Sequence, residues 1–304
     1  MAVSKPDRSS TIGWLLEGDP AIRWQVMRDL NRSPEPDWRA EQEKVATEGW
    51  GARLLSHQDR DGRWTPRLYG KKWISTTYTM VLLRRMGLPR SDPRAIASCR
   101  LFLTEGQGTR RNSEMCIQSM VTALLYWFEV DDADREPVLG HLLSRQLDDG
   151  GWNCDVGSRH GSFHTTSAAL EALRETAQAG GPRRDDVENA EARGQEFFLS
   201  HGMFRSHRSG EIVDQRYLRL SFPPRWHYDI LRGLDYFWSA GALNDHRLAD
   251  AIEVVAGKRT ADGAWPLQQR WPGETWFEME TVGEPSRWNT LRAMRVLEGW
   301  EAHN

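Results

Sequence analysis

The chain has 304 residues, with 40 Lys and Arg against 43 Asp and Glu, a formal charge of −3. So even a balance disfavours a general nucleic-acid binder, and 39% hydrophobic with 27% charged residues is the composition of a soluble globular protein. The first twenty residues lack a leader-like apolar core and no run of about 18 apolar residues offers a membrane span; three cysteines without short spacing point to reduced thiols and a cytoplasmic location.

In chain order, residues 1–18 are expected to form a poorly ordered N-terminal segment. Asp19-Pro20 then reads as the N-cap and first residue of a helix near 20–31. Apolar spacing near 3.6 predicts further helices at about 37–58, 73–87, 93–105, 113–128, 134–147, 163–176, 184–201, 225–241, 246–259 and 286–300. Nothing reads convincingly as a strand.

A repeat punctuates these helices. Leu54-Leu55-Ser56-His57-Gln58-Asp59-Arg60-Asp61-Gly62-Arg63-Trp64 aligns with Leu142-Leu143-Ser144-Arg145-Gln146-Leu147-Asp148-Asp149-Gly150-Gly151-Trp152, and a weaker copy ends at Asp262-Gly263-Ala264-Trp265. Each copy reads as a helix end stopped by a glycine in the left-handed conformation. Fifteen tryptophans, many of them after such turns, are either mortar between helices or cavity wall. Helices after the turns are richer in apolar and small residues than the helices before them. This alternation predicts an all-α domain over 1–304 with inner and outer helix layers, either a closed α/α toroid of five to six helical hairpins or an open solenoid. The axis of a toroid is a natural concave site.

Gln58-Asp59-Arg60-Asp61-Gly62-Arg63-Trp64 and Gln146-Leu147-Asp148-Asp149-Gly150-Gly151-Trp152 resemble the Gln-Trp repeat of the squalene cyclase and protein prenyltransferase superfamily. Repeats of this kind run from about residue 37 to 300, and the whole resembles a small bacterial squalene-cyclase-like or prenyltransferase-like protein. The resemblance implies the closed toroid; it does not by itself establish chemistry.

If the inner helices run parallel, their N-termini share one rim. Those openings carry Trp73, Glu114, Cys116, His164, Trp226, His227, Tyr228, Arg287, Trp288 and Asn289, with Cys154 in the loop before His164. Cysteine, histidine and carboxylate suit zinc, and three protein ligands with one open position make a catalytic site. Glu114-x-Cys116 followed by His164 resembles the prenyltransferase zinc site, with Glu in place of Asp and Cys154 added. The expected metal set is therefore Glu114, Cys116, Cys154 and His164, with His227 as a further catalytic candidate. Zinc there would activate a thiol or similar nucleophile toward an isoprenoid-like or other apolar electrophile. A small-molecule substrate is expected, because the second helical subunit of prenyltransferases is not encoded here.

An anionic group on such a substrate would call on Lys71, Lys72, Arg205, Arg208, Arg225 and Arg287, and the aromatic openings would line its pocket. Cys99 lies mid-helix and reads as core. The D-x-D-D motif of class II cyclases is absent; Glu129-Val130-Asp131-Asp132 reads as a helix-capping loop. A metal-free acid-catalysed cyclase would use Glu114, and a carbohydrate-active enzyme would use Glu278, Glu280 or Glu284. A non-catalytic ligand-binding toroid is the remaining reading.

Overall fold

A computed structural model describes residues 7–70, 72–106, 108, 114–181 and 183–303. It is all-α apart from one two-residue antiparallel pair, Trp265–Pro266 with Pro285–Ser286. The helices are α1 Arg8–Leu16, α2 Pro20–Gln25 (continued as a π turn to Leu30), α3 Glu35–Glu43, α4 Gly49–Leu55, α5 Thr76–Met86 and α6 Pro93–Glu105. Then come α7 Met115–Trp127, α8 Asp132–Ser144, α9 Phe163–Ala179, α10 Arg184–Ser200, α11 Ile230–Ser239, α12 Ala249–Ala256 and α13 Arg287–Glu301.

Their ends follow local chemistry. Asp19 and Asp92 each cap a helix whose first residue is proline, accepting from the N–H groups of Ala21 and of Arg94 and Ala95. The helix expected over 37–58 is interrupted after Ala46, because Asp19 Oδ2 accepts the Trp50 N–H and Gly49, at φ +63°, packs against that carboxylate. Residues 225–229, expected to be helical, are not: Arg225 sits at φ 57° and Asp229 caps α11 by accepting from Arg232 N–H. The N-terminal segment also differs from expectation. Residues 8–16 form a helix, tied down by a two-pronged Arg8–Glu298 ion pair.

Burial separates two layers. Helix α7 buries twelve of its thirteen residues and α8 only four of thirteen, so the first is inner and the second outer. The inner helices α5, α7, α9, α11 and α13 each pack on the next, and α13 packs on α2. Trp24 Nε1 and Gln25 Nε2 of α2 donate to the carbonyls of Met86 and Arg85 at the end of α5. Gly87, which ends α5 at φ +86°, has no room for a side chain because the Trp24 ring lies where its Cβ would be.

The repeat is a hydrogen-bonded clamp. The indole N–H groups of Trp64, Trp152 and Trp265 donate to the carbonyls of Leu54, Leu142 and Val255 at 2.7–2.9 Å. Their backbone N–H groups donate to the hydroxyls of Thr76, Thr166 and Thr290 on the following inner helix at 2.9–3.1 Å. Gly62, Gly150 and Gly263 hold φ of 84–88° in the three turns. These three tryptophans are mortar: each is at most 4% exposed. Cys99 is fully buried in the core, as its mid-helix position predicts.

Candidate metal centre

Two structural elements bring three ligand-type side chains together. Glu114 stands at the N-cap position of α7 and Cys116 in its first turn. Cys154 is carried by the loop between the second clamp and α9, a loop held by Gly161 N–H donating to Asp149 at 2.7 Å and Ser162 N–H donating to the Trp152 carbonyl at 2.8 Å. The ligand atoms of Glu114, Cys116 and Cys154 all lie within 4.8 Å of one another, the only such group among the described residues. Cys116 N–H donates to Cys154 Sγ at 3.1 Å, and Thr165 Oγ1 lies 3.4 Å from the same sulfur. Cys116 Sγ points at Glu114 Oε2, 3.8 Å away.

The two thiols are unequal. Its hydrogen bond with Cys116 holds Cys154 below the usual thiol range, against burial and with help from Thr165 and the Cys116 N–H. Cys116 is driven well above the usual thiol range, first by holding that hydrogen bond and then by burial. Cys154 is thus the more acidic of the two, and its sulfur accepts the Cys116 N–H at the positive end of α7. Two thiols, which bind metal as thiolates, and an exposed carboxylate fit zinc chemically as three of its four usual ligands. The phenols of Tyr69 and Tyr78, 3.2 Å apart, sense the same charges and stay protonated, chiefly through burial.

His164 does not join this group. Its Nδ1 accepts the Tyr228 N–H at 2.8 Å, which leaves the proton of the neutral ring on Nε2 and no free lone pair for a metal. The ring packs edge-on against Tyr217, Trp226 and His227. His227 is sandwiched between Trp226 and Trp271, with centroids 3.6 and 3.4 Å away. Burial lowers His164 to about 4 and His227 to about 3. Both titrate near 6.5 when unfolded, so between pH 6.5 and 4 the unfolded chain binds more protons and stability falls as pH falls. We expect a loss of about 1–2 kcal/mol per histidine between pH 7 and 5. Urea denaturation at the two pH values checks this: the difference should shrink in His227→Phe, and an unchanged difference contradicts it.

The remaining openings are mostly structural. Trp73 Nε1 donates to the Trp271 and Pro272 carbonyls at 3.1 Å, and Lys72 Nζ sits 5.5 and 5.8 Å from the rings of Trp73 and Trp226. Arg225 is buried over Trp73. The spaces around this cluster are about 10 and 20 Å³, room for a water and not for a substrate. Tyr228 is fully buried and donates to the Met203 carbonyl; Asn289 donates to the Pro266 carbonyl; Trp288 stacks on Phe222. Arg287 lies over Trp14 of α1 and donates to its carbonyl. Arg205 pairs with Asp250, and Arg208 with His160, on an exposed loop. Glu280 caps α13 through Ser286 and Trp288 N–H, and Glu278 pairs with Arg270. Lys71 lies outside the described residues.

Sequence reasoning missed Thr165, Tyr69, Tyr78 and Trp271. Only Thr165, next to His164, carried a signal. Among the described residues no helix is long and apolar enough to cross a membrane. In comparison with known proteins, no family model, no curated protein and no solved structure matches the chain. The class that fold and site define is an all-α, two-layered protein with a candidate metal centre, and the resemblance of its repeat rests on the chain's own residues.

Proposed function

We propose that the chain forms a closed α/α toroid and works as a zinc-dependent alkyl transferase on a small molecule. The succession of inner-helix contacts from α5 to α13, returning through α2 to the end of α5, supports closure. One observation carries the chemical reading: the ligand atoms of Cys154, Cys116 and Glu114 gathered within 4.8 Å of one another. These three residues would hold the metal, and Thr165 would orient Cys154. Zinc bound there supplies a Lewis-acid position that keeps an incoming thiol or similar nucleophile deprotonated. Glu114, the exposed member, marks the side from which substrate arrives. The repeat resemblance makes the electrophile an isoprenoid-like or other apolar alkyl donor, and free Cys116 and Cys154 suit the reducing cytoplasm.

Plasma mass spectrometry on untagged protein tests the centre. About one zinc per chain is expected, falling below about a tenth in Cys116→Ala and Cys154→Ala and staying near one in His164→Ala. Absence of metal from native protein, or full retention in both cysteine variants, overturns the reading.

A further inference from the structure

Between α2, α5, α9, α11 and α13 lies a cavity of about 170 Å³ whose wall mixes aromatic rings with many charged side chains. Arg28, Arg84, Arg85 and Arg174 line one part of it, and Arg232, Arg292 and Arg295 the part formed by α11 and α13. Facing these seven guanidinium groups are Glu171, Glu175 and Asp235, with Asp29 paired to Arg28 and Arg295. Glu171 alone accepts from Arg84, Arg85 and Arg232, and Asp235 from both Arg292 and Arg295. Cations outnumber carboxylates, and the innermost are held out of water: the side chains of Arg232 and Arg292 are 1% and 3% exposed, whereas Arg28 at 37% stands toward the mouth.

The unmet hydrogen bonds have the same sign. Of the wall's buried side-chain atoms without a hydrogen-bond partner, five are donors: Arg84 Nε, Arg85 Nε, Arg174 Nε, Arg292 Nη2 and Trp288 Nε1. The single acceptor is Glu175 Oε2, 3.6 Å from Arg90. Buried donors are satisfied in nearly all proteins, so the arginine network packed behind the cavity surface is short of acceptors. The donors come from α5, α9 and α13. Glu171 already spreads its two coplanar oxygens over three of these groups, and a tetrahedral oxyanion, with oxygens pointing in different directions, can meet the remaining forks from several sides.

We propose that this cavity binds a compact oxyanion of the phosphate class, as the free ion or as the phosphate group of a small phosphoester. The site is separate from Cys154 and stands whether or not a metal binds there. Burial, which lowers Arg85 to about 10, is the desolvation that an incoming anion would relieve.

Calorimetric titration of the full chain tests this, using inorganic phosphate, glycerol 2-phosphate, citrate and sodium chloride at matched ionic strength. One phosphate per chain is expected, with a dissociation constant below about 1 mM that weakens about tenfold or more in Arg292→Gln and Arg174→Gln. Tighter binding of glycerol 2-phosphate than of phosphate identifies a phosphoester site; equal or weaker binding identifies the free ion. Preference for citrate, or phosphate binding no tighter than chloride, overturns the proposal. If Arg292→Gln does not fold, Arg174→Gln decides, since Arg174 has an unpartnered Nε and is only partly buried. Unchanged phosphate affinity in that variant counts against the site.

Discussion

A Glu171→Gln variant is expected to lose about 3–5 kcal/mol of folding stability, the range for removing one partner of a buried ion pair. Burial alone would raise this carboxyl, yet Arg232 and Arg85 outweigh it and hold Glu171 far below the usual carboxylate range. Gln keeps the shape and one acceptor but leaves Arg84, Arg85 and Arg232 to repel one another without their shared counter-charge. Urea denaturation at pH 7 measures the loss. A change below about 1 kcal/mol would mean that the three guanidinium groups reach water in the variant, as exposed pairs do.

Trp152→Ala should cost a similar amount, about 3–5 kcal/mol, the range for truncating a large buried aromatic residue. Trp152 is fully buried and clamps the end of α8 to the start of α9. Trp152→Phe separates the contributions: it keeps most of the packing and orphans the Leu142 carbonyl, for an expected loss of about 1–3 kcal/mol. Because the same clamp opens the loop bearing Cys154, the Ala variant should also bind zinc more weakly. Thermal denaturation with and without zinc reads both effects; equal losses in Ala and Phe would assign the clamp's value to the hydrogen bond alone.

The helices were legible where apolar spacing and capping agreed, as at Asp19-Pro20, and the layers followed from the small residues of α9. The breaks near Ala46 and at residues 225–229 were not, because a side chain far along the chain or a single positive φ decides them. Glu114, Cys116 and Cys154 could be grouped because each sits at or just before the start of an inner helix. His164 stood beside them in sequence, but a backbone N–H from Tyr228, 64 residues away, takes its lone pair. The charged wall of the cavity was the least visible feature. Arg84-Arg85 and Glu171 lie on two different helices, and nothing in their local sequence links them. Only their meeting across 86 and 87 residues of chain makes them a buried network.

The clamps also imply an order of assembly. Trp152 reaches back ten residues and forward fourteen, so the hairpin it clamps can nucleate over a short stretch with little loss of chain entropy. Arg295 meets Asp29 and Gln25 across 266 and 270 residues, and Arg8 meets Glu298 across 290. Docking of α2 against α13 is therefore the late, topologically expensive event. The same seam is where the native protein would first come apart, with amide exchange there faster than in the clamped hairpins.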